Sequence, residues 1–280
     1  MSDPRNGHET NVQILIDTQP TLGDGSDGMS EVTEQASRMR WLNLGAGVFH
    51  TIQGIIMIVM SNEVTLPVSA TFASARPGQP FDGSRLTTLF SYRLGPAVAT
   101  FSLLSAAFHL LVVSPWVFSR YLTELSNHRN RFRWVEYSLS ASLMIVLIAG
   151  IAGITDIAAL VALFGVNAAM ILFGWLMENT SRPGAGAIWT PFVFGSLVGI
   201  VPWVAITIYL VGAGSEMPGF VYGIFVSLFL LFNCFAVNQW LQYRALGPWR
   251  RPLYTERVYI VLSLVAKTLL AWQIFANILI

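Results

Sequence analysis

The fold is decided by one stretch of the chain, YTERVYIVLSLVAKTLLAWQIFANILI, residues 254–280. After Arg257 this stretch carries a single charge, on Lys267, which is the one lysine in the whole sequence. A lysine at the centre of a membrane helix costs about 2.5–3.5 kcal/mol, so it needs a partner or a chemical role. Lysine amines form Schiff bases with carbonyl compounds when burial favours their neutral form. Lys267 is therefore the first candidate for a functional residue.

The composition is typical of a multi-span membrane protein. Apolar residues make up 54% and charged residues 11% of the sequence, whereas a soluble domain carries about 25% charged residues. The expected environment is the lipid bilayer of a cell membrane, crossed several times by one chain. The formal net charge is only +1, so no nucleic-acid partner is indicated.

Residues 1–37 differ from the remainder of the chain. The segment is rich in Gly, Ser and Thr, and its one basic residue is Arg5. Its acidic residues are Asp3, Glu9, Asp17, Asp24, Asp27, Glu31 and Glu34. Because it contains too few apolar residues to build a core, we interpret 1–37 as a disordered acidic tail. Residues 38–280 are expected to form one domain.

Seven apolar segments follow the tail, each close to the ~20 residues that cross a bilayer core. Backbone groups inside a bilayer must be paired within the segment, so the segments are predicted to be helices of an all-α seven-helix bundle. Asp156 is a plausible N-cap for the fourth. The piece TLPVSATF, residues 65–72, predicts a short β-hairpin in the first outer loop. The approximate limits of the segments are 39–61, 90–115, 132–154, 156–177, 189–212, 218–243 and 255–280.

The arginines predict the orientation of the bundle in the membrane. Basic residues gather on the cytoplasmic side of membrane proteins. A cytoplasmic N-terminus and an extracellular C-terminus place eleven near-membrane arginines inside, whereas Arg76, Arg85 and Arg93 remain outside. The inner set is Arg38, Arg40, Arg120, Arg129, Arg131, Arg133, Arg182, Arg244, Arg250, Arg251 and Arg257.

Two charged residues lie between the ends of the predicted helices, Glu136 in the third and Lys267 in the seventh. A buried carboxylate and a buried amine with no other charge nearby most simply neutralise each other. Counting residues from the helix ends puts Glu136 several ångströms nearer the cytoplasmic side than Lys267, a gap that the sequence does not close. Ser263 precedes Lys267 by four residues and therefore shares its helix face.

Several segments of the chain resemble the heliorhodopsin family of retinal-binding microbial rhodopsin relatives. They are FRWVEYSLSAS (132–142), LFGVNAAMILFGW (163–175), GIVPWV (199–204), PGFVYG (218–223) and ERVYIVLSLVAK with AWQIF (256–267 and 271–275). A lone lysine halfway along the last of seven spans is the plan of retinal proteins. The inverted membrane orientation of the family also agrees with the orientation that the arginines predict. The resemblance covers about residues 41–278.

The resemblance implies a role for individual residues. Lys267 would carry all-trans retinal covalently, as a protonated Schiff base, and Glu136 would be its counterion. The polar groups near the Schiff base would be Ser263, His50, His109, Ser105, Asn167 and Ser140. The walls of the retinal pocket would include Tyr137, Met170, Trp203, Phe232 and Trp272. At Ala141 a serine is expected from the family pattern, so this sequence departs from it there. Two histidines without a second carboxylate make a poor metal site, and no metal is expected.

What the resemblance implies about function is light sensing. Family members are homodimeric photoreceptors and not enzymes, and signalling through an unknown cytoplasmic partner is suspected. Light would isomerise the chromophore and strain its ion pair with Glu136. Two alternatives stay open from the sequence. A light-driven proton transporter or channel needs proton donors and acceptors on both sides of Lys267, and the outer half is nearly apolar. A bundle without retinal would use the Lys267–Glu136 pair for structure alone.

Overall fold

The computed structural model describes residues 25–72, 85–184 and 186–280, with side chains from residue 34 onward. Helix α1 spans Gly25–Met60, and the strands β1 (Thr65–Thr71) and β2 (Leu86–Arg93) follow it. The next helices are α2 (Leu94–Val113), α3 (Phe118–Ser126), α4 (Arg131–Ile151) and α5 (Ile157–Thr180). The chain continues through α6 (Thr190–Gly199), α7 (Val201–Ala213), α8 (Gly219–Tyr243) and α9 (Pro252–Ile274), which ends in a π-helical turn, Phe275–Leu279.

Seven stretches of helix in the described part of the chain are long and apolar enough to cross a membrane. They confirm the prediction of a seven-helix membrane protein. We number them as spans one to seven: α1, α2, α4, α5, the α6–α7 pair, α8 and α9. Spans alternate in direction, so the arginines named above as the inner set gather at one end of the bundle, which we call the basic end.

The helix limits differ from the sequence prediction at three places. Helix α1 reaches back to Gly25, so residues 25–37 of the segment interpreted as tail are helical; residues 1–24 lie outside the described part. Buried Ala36 and Met39 pack against α3, which gives the start of this helix an apolar contact. Residues 90–93, predicted as helix, belong to β2. The fifth span is divided at Ile200, because Pro202 offers no N–H to the preceding turn.

The predicted hairpin is present at the end of the bundle opposite the basic end. Strands β1 and β2 pair antiparallel, from Thr65 opposite Arg93 to Thr71 opposite Leu86. The hairpin is fixed to the start of the fourth span, because Ser69 N donates to the Thr155 carbonyl at 2.9 Å. Asp156 caps that span as predicted, accepting from the backbone of Ala158 and Ala159. Arg76, counted above as an outer residue, lies outside the described part.

The core is apolar towards the hairpin end and mixed towards the basic end. Met144, Ile145 and Ile148 of span three lie fully inside the bundle and pack with Leu270 and Ile274 of span seven. At the basic end α3 lies against the bundle and buries Tyr121, Leu122 and Leu125 against span one. The buried charged side chains that the structure describes lie between the middle of the bundle and its basic end, whereas Ser69 is buried on the hairpin and Gln53 donates to Ser102 on the hairpin side of the middle.

Candidate functional site

Lys267 and Glu136 form an ion pair in the interior of the bundle. The Nζ of Lys267 lies 3.2 Å from Oε1 of Glu136, and the two residues are only 3% and 4% exposed. The ammonium also donates a hydrogen bond of 2.5 Å to Ser263 Oγ, one helical turn earlier. The ring centroid of Tyr137 lies 5.0 Å from the same nitrogen. A buried charge is tolerable only with such partners.

Residue counting placed Lys267 and Glu136 at different depths in the membrane. The direction of the Lys267 side chain accounts for the difference. Side chains on a helix lean towards its N-terminus. The seventh span begins at the basic end, so the long side chain of Lys267 reaches back by about one turn of 5.4 Å. The hydrogen bond to Ser263 records that direction.

Glu136 has a second partner on span two. The hydroxyl of Ser105 donates to Oε1 of Glu136 at 2.5 Å. His109 lies one turn beyond Ser105, and its ring stacks on His50 of span one with centroids 6.0 Å apart. Nδ1 of His109 is bonded to Asn43 Oδ1 at 2.9 Å, whereas both ring nitrogens of His50 lack a hydrogen-bond partner in the described chain. Three spans thus supply polar groups around the pair.

Two further residues predicted in this polar cluster, Asn167 and Ser140, differ in their distance from the pair. Asn167 donates to Ser142 at 3.1 Å and ties span four to span three; no hydrogen bond in the described chain joins it to Lys267 or Glu136. Ser140 is buried one turn beyond Glu136 on the same helix, and its hydroxyl is near that carboxylate, although the geometry is not that of a regular hydrogen bond. The groups that contact the pair by hydrogen bonds are Ser263 and Ser105.

A cavity begins at Lys267 and Ser263 and runs between spans three, four, five and six. It contains about 850 Å³ of empty space, part of which is open to the surroundings of the bundle. Its walls are mainly aromatic and apolar, and Tyr137, Met170 and Phe232 are among them.

Two tryptophans expected on these walls do not line the cavity. Trp203 lies behind Phe232, with ring centroids 5.5 Å apart. Trp272 is 39% exposed and packs against Phe275. The sequence places both on the correct spans but does not fix how each helix is rotated. The walls that the sequence analysis missed include Trp134 and Gln239. Gln239 follows Phe232 by seven residues on the same helix, and this helical spacing is the signal that could have identified it.

Gly174 makes room for the Trp134 wall. A Cβ at position 174 would lie 2.5 Å from the indole ring of Trp134. We expect Gly174→Ala to displace the rigid ring and to lower the stability of the folded protein by about 1–3 kcal/mol, as overpacked cores do. Gly165→Ala on the same helix is the control, because nothing lies within 4 Å of its Cβ position. Thermal unfolding of the two variants tests this, and equal midpoints would contradict it.

A second buried charge cluster lies at the basic end, and the sequence analysis missed it. Arg133 forms ion pairs with Glu178 of span four, at 2.6 Å, and with Glu256 of span seven. Its guanidinium also lies over the rings of Trp134 and Tyr259, 4.7 Å and 4.0 Å from their centroids. Sequence counting assigned these glutamates to helix ends, where solvent is expected. In the structure Glu178 and Glu256 are both buried, so they form a buried charge cluster with Arg133.

Hydrogen bonds run from His109, near the first charge pair, to the second charge cluster. Asn43, which binds His109, also donates to the Tyr121 hydroxyl at 3.3 Å, and that hydroxyl donates to Glu256 at 3.4 Å. Burial and the charge of Glu256 raise the pKa of Tyr121 well above its ordinary value of 10.0, so the hydroxyl keeps its proton. Polar side chains thus lie between Glu136 and the basic end, whereas the core towards the hairpin end is mainly apolar and holds the Gln53–Ser102 hydrogen bond.

The family comparison agrees with these features. The heliorhodopsin family model matches residues 39–279, from the first span to the end of the seventh. Among curated proteins, none matches the chain at a significant level.

Proposed function

The chain belongs to the heliorhodopsin family, and from this premise we propose that it is a light-sensing photoreceptor with all-trans retinal bound covalently to Lys267. Membership supports a rhodopsin-type, retinal-binding membrane protein. The isomer and the covalent bond are our proposal. The observation that carries it is the buried Lys267–Glu136 pair at the end of an apolar cavity.

The residues present fit retinal, which is a long apolar polyene with one aldehyde. An amine that can react with the aldehyde stands at one end of the cavity, with a carboxylate 3.2 Å away to balance an imine charge. The remaining walls are apolar or aromatic, with Trp134, Tyr137 and Phe232 among them.

When bound at Lys267, retinal supplies absorption of visible light and isomerisation. The protein contributes charge and hydrogen bonds around that nitrogen. Glu136 holds the negative charge, Ser105 stabilises that carboxylate through its hydrogen bond, and Ser263 orients the nitrogen. Any change of charge at Glu136 acts on Arg133, which lies three residues away on the same helix face. We propose that the Arg133 cluster passes this change to the basic end.

Signalling is favoured over transport because the buried charged side chains of the described chain lie from the pair towards the basic end. The half of the bundle near the hairpin has a mainly apolar core with a buried Gln53–Ser102 hydrogen bond, and no buried charge among the described residues. Transport of a proton across the bilayer needs groups on both sides of Lys267. A light-driven proton transporter or channel stays the alternative, because the His50–His109 pair and the Asn43–Tyr121–Glu256 contacts form a one-sided proton route. A light-induced pH change that a protonophore abolishes would favour it.

The position in the cell and the partners are also proposed. The excess of arginines at the basic end supports a cytoplasmic N-terminus and an extracellular C-terminus. We propose a homodimer in the bilayer, with a cytoplasmic signalling partner that reads the basic end.

Adding all-trans retinal to the purified apoprotein tests the proposed function. We expect a visible absorption band that saturates at one retinal per chain and bleaches with hydroxylamine in light. If the protein takes up no retinal, the photoreceptor proposal is wrong, and the Lys267–Glu136 ion pair is interpreted as structural.

Replacing the proposed counterion is expected to move the absorption band to the red. A carboxylate 3.2 Å from the cation stabilises the ground state by about 5 kcal/mol at an effective dielectric constant of about 20. Excitation moves positive charge away from this carboxylate, so Glu136→Gln should lower the excitation energy by a few kcal/mol. Glu216→Gln, which removes an exposed charge after the fifth span, is the matched control. An unshifted band in the Glu136 variant would assign the counterion to another group.

A further inference from the structure

A second pocket opens at the basic end, apart from the cavity at Lys267. It contains about 800 Å³ of empty space and lies between the turn after α3 and the loop that joins spans four and five. Arg129 belongs to the turn after α3. Asn179 and Arg182 lie on the other side of the pocket, at the end of span four and in the loop that follows it. The proposed function assigns no task to these residues.

The backbone holds the two arginine-bearing segments in place. His128 has a positive φ of 57°, and the turn is closed by Arg129 N donating to the Glu124 carbonyl at 2.8 Å. On the other side, Ile188 N donates to Ser181 Oγ at 2.9 Å and closes the loop after span four. Both sides of the pocket are therefore built by hydrogen-bonded turns.

The positive charge of the pocket is not balanced by described carboxylates. Glu124 is paired with Arg131 at 2.5 Å and faces Arg120 at 3.7 Å. The carboxylates of the buried cluster are likewise bound to Arg133. Arg129 and Arg182 form no ion pair, and the Asn179 amide no hydrogen bond, within the described chain. Burial lowers the pKa of His128, and the charge of Arg182 lowers it further, as expected of an uncompensated field.

One carboxylate, Glu178, also lies on the lining. Its oxygens accept from Arg133, at 2.6 Å, and from the backbone N–H of Asn130, at 2.6 Å. The Glu178 side chain is buried, and its negative charge is balanced by these donors. It therefore weakens the attraction for an anion but does not cancel the charge of two free guanidinium groups.

We propose that this Arg129–Arg182 pocket binds a phosphate group, carried by a lipid headgroup or by a soluble ligand. A guanidinium group can bind phosphate through two parallel hydrogen bonds, and the Asn179 amide adds a second kind of donor. Glu178 lines the pocket and is paired with Arg133, which lies three residues from the proposed counterion Glu136. The binding itself does not depend on retinal.

Calorimetric titration of the full-length apoprotein in maltoside detergent tests the proposal. The probes are inorganic pyrophosphate and dioctanoyl phosphatidylglycerol, each with the parent protein and with Arg129→Gln, Arg182→Gln and Arg182→Lys. We expect saturable one-site binding, weakened about tenfold or more in either glutamine variant, since a charge-assisted hydrogen-bond pair is lost. Arg251→Gln removes the same charge from the same end without lining the pocket, and it should change affinity less than about twofold.

The pattern of binding distinguishes the sources of the phosphate. Arg182-dependent binding of pyrophosphate supports a soluble ligand, and such binding of the lipid alone supports a headgroup. The proposal is overturned if neither probe saturates, or if Arg251→Gln weakens binding as much as Arg182→Gln. Unchanged thermal unfolding midpoints show that the variants are folded, and Arg182→Lys retains charge while losing the planar fork. Retinal uptake is measured separately, so failure here leaves the photoreceptor proposal untouched.

Discussion

The Lys267→Ala variant is expected to show no visible absorption band after incubation with all-trans retinal. The sequence contains no second lysine, and the arginines keep their charge at any physiological pH, so no other side-chain amine can form the imine. The loss should therefore be complete. Absorption spectra of washed protein, recorded beside the parent protein, measure it. A coloured variant that survives washing would remove the basis of the photoreceptor proposal.

Controls must show that the Lys267 variant still folds. Removing the amine leaves Glu136 buried without its cationic partner, which is costly, and the double variant Lys267→Ala/Glu136→Gln removes both charges together. Thr268→Ala, the next residue on the same helix, should retain the absorption band. A preformed imine of retinal with a small alkylamine should restore colour to Lys267→Ala, because the cavity walls remain. Loss of colour in Thr268→Ala would show that the whole helix, and not the amine, is at fault.

The Arg133→Gln variant is expected to lose about 3–5 kcal/mol of folding free energy. Removing one partner of a buried ion pair leaves uncompensated charge, and here Glu178 and Glu256 would both be stranded. The guanidinium also donates the contacts that join spans three, four and seven. Reversible unfolding in a denaturing-detergent titration measures the change. The expected loss is a large fraction of the stability of an ordinary domain.

Arg131→Gln is the matched control on the same helix, two residues away. The Arg131 side chain is 51% exposed, and the buried Glu124 would keep Arg120 as a cationic partner at 3.7 Å, so the expected loss is about 1 kcal/mol. If the two variants lose the same folding free energy, the buried ion pairs of Arg133 contribute no more to stability than an exposed one, which contradicts this prediction. Adding Glu178→Gln and Glu256→Gln to Arg133→Gln should recover part of the loss, since no buried charge would then lack a partner.

The sequence predicts the spans well because the constraint on them is local. Backbone pairing inside a bilayer and a length of about 20 residues leave little freedom, and the seven limits agree closely. The hairpin follows from β-branched residues bounded by turn formers. The exact start of span one differs, because Ala36 and Met39 owe their burial to α3, which no local pattern reveals.

The site is predictable only in part, for a physical reason. Lys267 and Glu136 are found from the sequence because isolated charges in apolar helices need partners. Trp203 and Trp272 were expected on the cavity and Trp134 was not, since the rotation of a helix depends on packing with its neighbours. Glu178 and Glu256 were missed because sequence position near a helix end does not reveal burial. Tertiary structure alone joins them to Arg133.

One measurement tests the central claim, a retinal covalently held by the buried amine. The protein reconstituted with retinal is reduced with borohydride, which converts an imine to a stable amine, and is then digested and analysed by mass spectrometry. We expect one retinyl group per chain, on the peptide that contains Lys267. Recovery of the unmodified peptide from protein that was fully coloured before reduction would contradict the claim.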